Sequence, residues 1–260
     1  SGNPDPTAIR DFVKMFYDRY AENSPKYLLL FGDASYDYKN VLGYNQNLIP
    51  TYENNNSTDD YSSWDSDDYF GLLDNNEGFQ ANGTLDIGIG RFVVQNPSDA
   101  SQMVDKTIRY YTKSRIQPES ITQYSNYGDW KSYVSILADD EDNNIHISDA
   151  DKLAKIIETN FKPYNVEKIY FDAYPQVSYS SGQRYPDVEN ALNQRMTKGA
   201  LFIDYVGHGG EVGWAHERIL KISDILKWNN KYNLPIFITA TCEFTRFDDP
   251  SRVSAGELVF

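Results

Sequence analysis

Apolar residues recur along the first part of the chain in two patterns, one typical of helices and one of short strands. Helical spacing of apolar positions predicts helices over residues 6–23 and 97–115. Short apolar runs predict strands at residues 26–33 and 85–92, and the continuous run of the first favours a buried parallel strand. Residues 34–68 are rich in Asn, Ser, Asp and Tyr and lack a period, which predicts a long loop with functional or metal-binding potential.

The pattern becomes regular in the second half of the chain. Apolar runs predict strands at residues 132–138, 166–172, 199–206 and 235–241. Helical patterns lie between these runs, at residues 149–161, 186–197 and 222–229. Alternating strands and helices are typical of an α/β fold, a mostly parallel sheet with helices on its faces. Because Pro, Ser, Asn and Gly interrupt residues 117–129, we expect two subdomains, residues 1–122 and 123–260.

Composition and charge exclude several classes of protein. The 260 residues are 40% hydrophobic and 15% aromatic, too rich in aromatic side chains for a disordered chain. The formal net charge of −14 is spread along the chain, which argues against binding of nucleic-acid phosphates over a broad face. The longest apolar runs have the length of a strand, whereas a membrane helix needs about 20 apolar residues. We therefore expect a globular protein that binds no nucleic acid.

The N-terminus and the cysteine content add little about the compartment. Ser1, Gly2 and Asn3 lack the basic start and the apolar run of a signal peptide, and we expect them to be a tag remnant or the cut edge of a longer protein. Cys242 is the single cysteine of the sequence, so no disulfide can form within the chain. A lone thiol directs attention to the residues around it.

Two reactive residues directly follow predicted strands. The strand at residues 199–206 runs into a Gly-His-Gly-Gly segment that contains His208, and the strand at residues 235–241 runs into Cys242. Loops converge at the carboxyl ends of parallel strands, and consecutive strands of such units are usually neighbours about 5 Å apart. We therefore expect His208 and Cys242 to face each other across one gap.

A thiol beside an imidazole can act as a nucleophile in acyl transfer. A free cysteine has a pKa of about 8.5, and a neighbouring imidazolium lowers such a pKa and favours the thiolate. Glycines on both sides of His208 would let a substrate backbone approach and would leave main-chain N–H groups free to bind an oxyanion. The alternative interpretation is a structural cysteine at a strand end and a histidine in a turn.

Four consecutive acidic residues follow the predicted strand at residues 132–138. They are Asp139, Asp140, Glu141 and Asp142. One of these carboxylates orients His208, or Asp139, Asp140 and Asp142 bind Ca²⁺, which favours several oxygen ligands, or the segment is a solvated loop. Residues 59–68 form a second acidic tract with the same potential for calcium.

The other two histidines complete the candidate chemistry. His146 follows the acidic segment, and His216 lies beside Trp214, where we expect it to form part of a loop wall. One cysteine and three scattered histidines show no zinc-ligand spacing, so the sequence does not predict a zinc site. No cofactor is expected to be required, and calcium would be structural.

Several segments resemble the gingipain family of cysteine peptidases, relatives of caspases and legumains. The shared pattern is a strand ending in His-Gly and a later strand ending in cysteine, matched here by residues 205–215 and 238–242. Upstream matches are at residues 66–69, 86–92 and 104–111. The resemblance implies an α/β, caspase/gingipain-like fold of mostly parallel sheets flanked by helices. It also implies a gingipain-like subdomain at residues 1–122 and a catalytic, caspase-like subdomain at residues 123–260 that is truncated after the cysteine.

The same resemblance assigns roles to residues of the site. It implies a catalytic dyad of Cys242 and His208, with the main-chain N–H groups of Gly209 and Cys242 as the oxyanion hole. Glu141 falls where the family has an acidic residue near the histidine. Three residues are expected to contact the substrate, namely Tyr205, Trp214 and His216. His146 aligns with an aspartate in the substrate pocket of the arginine-specific members, so arginine specificity is not expected.

Segments at residues 5–10, 30–37, 214–218 and 240–250 resemble the PorU-type branch of the family, the cell-surface sortases of the type IX secretion system of Bacteroidetes. This resemblance implies a cysteine endopeptidase/transpeptidase that cleaves C-terminal secretion signals from cargo proteins. The implied partners are peptide substrates, a glycolipid amine acceptor and other secretion components at the outer-membrane surface. The alternative is a catalytically silent, calcium-binding scaffold of the same machinery.

Overall fold

The computed structural model describes residues 4–56, 62–111 and 128–260, in which the chain divides into two compact units. The first unit comprises the chain up to Val104 together with Phe247–Val253. The second unit comprises Asp105–Arg246 and Ser254–Phe260. The predicted boundary between residues 122 and 123 lies outside the described residues and stays a prediction.

The first unit is built on a two-stranded parallel sheet. Its elements are α1 (Pro6–Tyr20), β1 (Tyr27–Phe31), β2 (Tyr52–Glu53), β3 (Asp65–Ser66), β4 (Gly88–Phe92) and the first part of α2 (Pro97–Tyr111). The boundary between the two units falls inside α2, after Val104. β1 pairs with β4 in parallel, and β2 pairs with β3 in antiparallel orientation. The helices and strands predicted from the apolar pattern of this region are confirmed, apart from the predicted helix end at residues 112–115, which lies outside the described residues. The described part of the predicted loop at residues 34–68 holds only β2, β3 and the start of a 3-10 turn.

The core of the first unit lies on one face of this sheet. Leu28 and Leu30 of β1 belong to hydrophobic clusters that include residues of α1 and of the 3-10 turn Asp67–Gly71. Their neighbours Tyr27 and Leu29 point to the other face and are 83% and 51% exposed. The prediction of a buried β1 is therefore wrong, although the strand is parallel. A continuous apolar run does not show whether both faces of its sheet will be covered.

Charged residues of the first unit tie its loops to the sheet. In β4, Arg91 donates two hydrogen bonds to Asp67, from Nε to Oδ2 at 2.6 Å and from Nη2 to Oδ1 at 2.7 Å. Its Nη1 donates to the carbonyl groups of Gly32 and Ile49. Asp86 accepts hydrogen bonds from two main-chain N–H groups of a neighbouring turn. Bidentate, buried pairs of this kind fix geometry, so these residues have a structural role.

Protonation of Asp65 couples the stability of the first unit to pH. Burial raises the pKa of this carboxyl group to about 7, with repulsion from Asp248 and Asp67 adding to the effect and Arg91 opposing it. An unfolded aspartate has a pKa of about 3.9, so at intermediate pH the folded state holds a proton that the unfolded state has lost. We expect the free energy of unfolding to fall as the pH rises from about 5 to about 8, and Asp65→Asn to remove this contribution.

Urea unfolding at several pH values measures the effect of Asp65. Asp11→Asn, at an exposed position of α1, is the matched control and should keep the pH dependence of the wild type. Unfolding free energies of wild type and Asp65→Asn that run parallel between about pH 5 and about pH 8 would contradict the prediction.

The second unit contains a four-stranded parallel sheet and the remaining helices. Its first elements are β5 (Tyr133–Ala138), α3 (Glu141–Asn160), β6 (Asn165–Tyr170), β7 (Val177–Tyr179), β8 (Gly182–Arg184), α4 (Pro186–Lys198) and β9 (Phe202–Val206). They are followed by β10 (Gly209–Gly210), β11 (Gly213–Trp214), β12 (Leu220–Lys221), α5 (Ile222–Ile225), β13 (Ile236–Ala240) and α6 (Ala255–Val259). No helix among the described residues of either unit is long and apolar enough to cross a membrane.

The order of strands in the parallel sheet creates a switch point. The order is β13-β9-β5-β6, and every neighbouring pair is parallel. The chain runs outward from β5 to β6, returns to the other side of β5 as β9, and continues outward to β13. Between β5 and β9 the connections therefore leave in opposite directions, and a crevice opens at the carboxyl ends of these strands. The predicted adjacency of the strands that precede His208 and Cys242 is confirmed.

Helices cover both faces of this sheet. On one face, small residues of α3 let the helix approach β5 closely, in a cluster formed by Val134, Ile136, Ala138, Ala150 and Ala154. On the other face, α4 packs over β5, β6 and β9, in a cluster that includes Leu137, Ile169, Val188, Leu192 and Ile203. The predicted α/β fold, a mostly parallel sheet flanked by helices, is confirmed.

The hydrophobic pattern of the sequence does not predict two small antiparallel elements of the second unit. β7 and β8 form a hairpin, and β10, β11 and β12 form a three-stranded sheet after β9. Strands of two or three residues are too short to show an alternation of apolar and polar positions. The three-stranded element begins directly after His208 and therefore helps to position the candidate site.

Candidate active site

The predicted histidine lies at the switch point of the parallel sheet. His208 follows β9, and the acidic segment that begins at Asp139 follows the neighbouring strand β5. The main-chain N–H of Asp139 donates to the carbonyl group of Val206 at 3.1 Å, so the two strands stay paired up to the site. The two loops thus meet where open α/β sheets usually bind their ligands.

The buried carboxylate of Asp139 joins these two loops. Asp139 is completely buried, and its Oδ2 accepts a hydrogen bond from the main-chain N–H of His208 at 3.2 Å. Its Oδ1 accepts a hydrogen bond from the N–H of Glu141 at 3.0 Å. Gly207 approaches so closely that a Cβ atom there would collide with the Cβ of Asp139 and lie 2.6 Å from the hydroxyl oxygen of Tyr205. Asp139 therefore positions His208.

An aromatic pair fixes the carbonyl group of His208. The Tyr205 hydroxyl donates to this carbonyl at 2.6 Å, and the N–H of Ala215 donates to it at 2.8 Å. Tyr205 stacks on Trp214 with 4.4 Å between ring centroids, and both side chains are fully buried. Neither side chain is exposed, and Trp214 lines the wall of a cleft beside the His208 loop, so the substrate contact of Tyr205 and Trp214 stays a prediction. Of the three residues predicted for that role, only His216 is exposed.

Cys242 occupies the equivalent position on the next strand. The last residues of β9 and β13 pair with each other, and His208 and Cys242 each follow two residues later. Gly209 packs against Thr241, the residue before Cys242. The thiol is free, and Cys242 is exposed. Because paired strands lie about 4.8 Å apart, the structure places His208 and an accessible thiol at neighbouring strand ends.

Asp142 is the carboxylate nearest to the ring of His208. The Nε2 atom of His208 is 3.0 Å from Asp142 Oδ2 and 3.8 Å from Glu141 Oε2. Glu141 lies closer to His216, with 3.2 Å between its Oε2 and the Nδ1 atom. The structure therefore favours Asp142 over the predicted Glu141 as the residue that orients His208. The main chain at Asp142 is left-handed, with a φ of 54°, and this turn decides which carboxylate faces the ring.

The three predicted calcium ligands point to different partners. Asp139 accepts two main-chain hydrogen bonds, whereas Asp140 Oδ2 accepts a hydrogen bond from the Tyr185 hydroxyl at 2.6 Å. Asp142 faces His208. In the described part of the chain, the three carboxylates form no common ligand set, so the structure does not support this calcium site. Residues 57–61, which include the start of the second acidic tract, lie outside the described residues.

His146 lies beside the same ring. α3 begins at Glu141, before the predicted start at residue 149, but Asp142, Asn143 and Asn144 form a left-handed turn, and this turn brings Asp142 and His146 together. The ring centroids of His146 and His208 are 5.2 Å apart, and His146 Nε2 is 3.5 Å from Asp142 Oδ2. The four-residue spacing of Asp142 and His146 gives no usable signal in the sequence, because a left-handed turn rather than a helical repeat sets their contact.

A family comparison identifies the chain. The sequence profile of peptidase family C25 matches residues 1–260. The chain belongs to peptidase family C25. Its structure is similar to the crystal structure of the Arg-specific cysteine proteinase gingipain R (RgpB), with a TM-score of 0.65 and 21% identity over 98% of this chain and 48% of that one. The gingipain-like fold implied by the sequence resemblance is thereby confirmed.

Two further solved structures share the fold of this C25 chain. The complex of the pro- and mature domains of Porphyromonas gingivalis RgpB matches with a TM-score of 0.64 and 21% identity, over 97% of this chain and 49% of that one. Another solved protease matches with a TM-score of 0.64 and 17% identity, over 98% and 47% of the two chains. The chain thus spans about half the length of the solved structures it matches. A comparison with curated protein sequences found no match.

A cleft of about 580 Å³ opens beside the His208 loop of this C25 chain. Its wall includes Gly209, His216, Arg218 and Lys221. Lys221 is paired with Glu189 at 2.9 Å, whereas Arg218 forms no ion pair with any residue that the structure describes. Sequence reasoning missed both cations, although they lie within a few residues of His216. The volume suits a side chain or a short peptide segment.

Proposed function

We propose that this C25 chain carries the catalytic residues of a cysteine peptidase, with Cys242 as the nucleophile and His208 as its base. The observation that carries the proposal is the pairing of β9 with β13, which sets His208 and an exposed thiol at neighbouring strand ends. A structural cysteine is usually buried as a small apolar residue. The exposure of Cys242 therefore supports a reactive role over a structural one.

In this mechanism His208 accepts the proton of the Cys242 thiol, and the thiolate attacks the carbonyl carbon of the scissile peptide bond. The main-chain N–H groups of Gly209 and Cys242 stabilise the negative charge on the carbonyl oxygen. His208 then gives its proton to the departing amine, and the acyl group remains on the sulfur as a thioester. Water or a second amine attacks the thioester, His208 accepts the proton of that nucleophile, and the thiol is regenerated.

The surroundings of His208 support this role. Hydrogen bonds from Tyr205 and Ala215 to its carbonyl group and from its N–H to Asp139 hold the main chain in one position. The carboxylate of Asp142 stabilises the imidazolium that forms when the thiol loses its proton. A base that is fixed before the substrate arrives needs no reorganisation during proton transfer.

The substrates that we propose are proteins with a C-terminal secretion signal, and the acceptor is an amine of a surface glycolipid. The support is the resemblance to the PorU-type branch, whose members act at the cell surface with other secretion components. The cleft beside His208 adds a physical argument. Arg218 on its wall would repel an arginine side chain, whereas the charge of Lys221 is offset by Glu189 and Asp224, so the cleft suits a neutral or acidic residue of the substrate.

We expect the full-length protein that contains this chain to release two products from a peptide with a type IX secretion signal. In the presence of a glycine derivative, an amide should form beside the hydrolysed acid, because amine and water compete for the same thioester. The amide fraction, measured by mass spectrometry, should rise with the concentration of the amine.

The full-length Cys242→Ala variant is the control for this experiment and should yield neither product. If only the acid forms at every amine concentration, the transpeptidase part of the proposal is overturned and a hydrolytic peptidase remains. If the wild-type protein cleaves nothing, the peptidase proposal fails and the silent-scaffold interpretation is favoured.

A further inference from the structure

Three side chains of the second unit converge with the atoms that a transition metal uses. Asp142 Oδ2 is 3.0 Å from His208 Nε2 and 3.5 Å from His146 Nε2. Among the described residues, this is the group of histidine and carboxylate side chains whose ligand atoms all lie within 4.8 Å of one another. Asp142 comes from the left-handed turn at the start of α3, His146 comes from the helix that follows this turn, and His208 comes from the loop after β9. The group is therefore assembled by the sheet topology.

The spacing of these atoms fits a tetrahedral metal. Zn²⁺ binds histidine nitrogen and carboxylate oxygen at about 2.0–2.2 Å, so two ligands of one tetrahedral ion lie about 3.3–3.5 Å apart. The separations from Asp142 Oδ2 to the two histidine nitrogens are close to this range, and the two nitrogens lie within 4.8 Å of each other. Two imidazoles and one carboxylate form the set of three protein ligands found in zinc sites that keep an open fourth position.

A buried nitrogen without a hydrogen bond points to a ligand at the same place. The Nε2 atom of His146 is shielded from solvent and makes no hydrogen bond to any described residue. A buried polar atom without a hydrogen bond is costly, and a bound cation would satisfy it. Glu141 and Asp139 lie in the adjoining turn, and their carboxylates add negative potential around a cation.

We propose that Asp142, His146 and His208 form a Zn²⁺ site, and that the bound ion holds the peptidase in an inactive state. The second half of this inference rests on the proposed function, whereas the site itself does not. Calcium is the less suitable occupant, because it favours six to eight oxygen ligands and the group offers two nitrogens. Imidazole ligands instead favour zinc and its neighbours among the transition metals.

Zinc at this site removes the base that Cys242 needs. A histidine ligand is neutral and gives one nitrogen lone pair to the metal, so its remaining proton sits on the other ring nitrogen. With Nε2 of His208 on zinc, Nδ1 carries that proton, and neither nitrogen can accept a proton from the thiol. If His208 is protonated before the metal arrives, that proton leaves to solvent as the bond to zinc forms. A chelator reverses the step and restores the free imidazole.

Direct metal binding tests the site without relying on turnover. Titration of Co²⁺ into the untagged 260-residue chain should produce visible absorption bands, and Zn²⁺ should displace them with 1:1 stoichiometry by calorimetry. We expect His146→Ala to weaken zinc binding by at least about tenfold, because one of three protein ligands is lost. Asp142→Asn, at an exposed position, should do the same, and it serves as a second variant if His146→Ala does not fold.

Two matched variants show whether zinc binds through these three side chains alone. His216 stacks on the ring of His208 at 5.4 Å but lies outside the ligand set, so His216→Ala should bind zinc like the wild type. Cys242→Ala should also bind normally, because the thiol is not one of the ligands. Zinc binding that is unchanged in folded His146→Ala and Asp142→Asn, or lost in Cys242→Ala, would overturn the site.

Activity of the full-length protein tests the inhibitory role. Micromolar Zn²⁺ should stop cleavage in the wild type, a chelator should restore it, and His146→Ala should be less sensitive, with each protein compared with its own metal-free rate. Cleavage that persists at zinc concentrations that saturate the site would overturn the inhibition. A chain that binds zinc through the three residues but cleaves nothing without metal would uphold the site and refute the proposed peptidase.

Discussion

Replacing Cys242 by alanine should lower the turnover of the full-length protein by at least about 10³-fold, because the acyl group then has no sulfur to bind. The fold should be unaffected, since Cys242 is exposed and the lost side chain is small. Turnover of a signal-bearing peptide measures the first effect, and circular dichroism with a thermal melt measures the second. Wild-type turnover in Cys242→Ala would refute the assignment of the nucleophile.

Alkylation of the Cys242 thiol tests the role of His208. Iodoacetamide should label Cys242 about tenfold more slowly in His208→Ala near neutral pH, because the thiol has lost the base that accepts its proton. His216→Ala is the matched control, since this exposed ring stacks on His208 and pairs with Glu141 without forming part of the dyad. Equal labelling rates in wild type and His208→Ala at every pH would show that the two residues do not act together.

The second large effect concerns Gly207, because only the fold shows that no larger residue fits at this position. We expect Gly207→Ala to lower the free energy of unfolding by about 1–3 kcal/mol, because the new methyl group collides with Asp139 and lies 2.6 Å from the Tyr205 hydroxyl. Both of these residues hold the main chain of His208, so turnover of the full-length protein should also fall, by about 10²-fold.

The same loop provides the control for Gly207. A Cβ at Gly210 would meet no atom within 4 Å, so Gly210→Ala should change the free energy of unfolding by less than about 1 kcal/mol and leave turnover near the wild-type rate. Urea unfolding and peptide turnover measured side by side separate the two variants. Equal stability and turnover for Gly207→Ala and Gly210→Ala would show that close packing at Gly207 does not position His208.

The sequence alone predicts much of the second unit and the place of its site. Apolar runs at the four central strands and helical patterns between them predict the parallel sheet. Each of these patterns is a property of a single element, so it can be recognised without knowing the contacts between elements. Since His208 and Cys242 directly follow two such strands, the general geometry of parallel sheets places them at one edge. The family resemblance agrees with the profile match and with the gingipain-like fold.

Only the tertiary structure decides what each side chain near His208 does. Tyr205 and Trp214 are expected from the resemblance to contact a substrate, and only the structure shows that both side chains are buried, with Trp214 in the wall of the cleft. The sequence does not show whether Glu141 or Asp142 orients His208, and a left-handed turn sets the Asp142 carboxylate against the His208 ring. The exposed face of β1 likewise depends on whether another element covers it.

The group of Asp142, His146 and His208 shows the physical reason. The sequence showed three histidines without zinc spacing, because His146 and His208 are far apart along the chain and meet only through the order of β5 and β9. Periodicity is a property of one element and can be read along the chain. Ligand sets, hydrogen-bond partners and burial depend on distances between elements, and these distances are fixed by strand pairing and loop conformation.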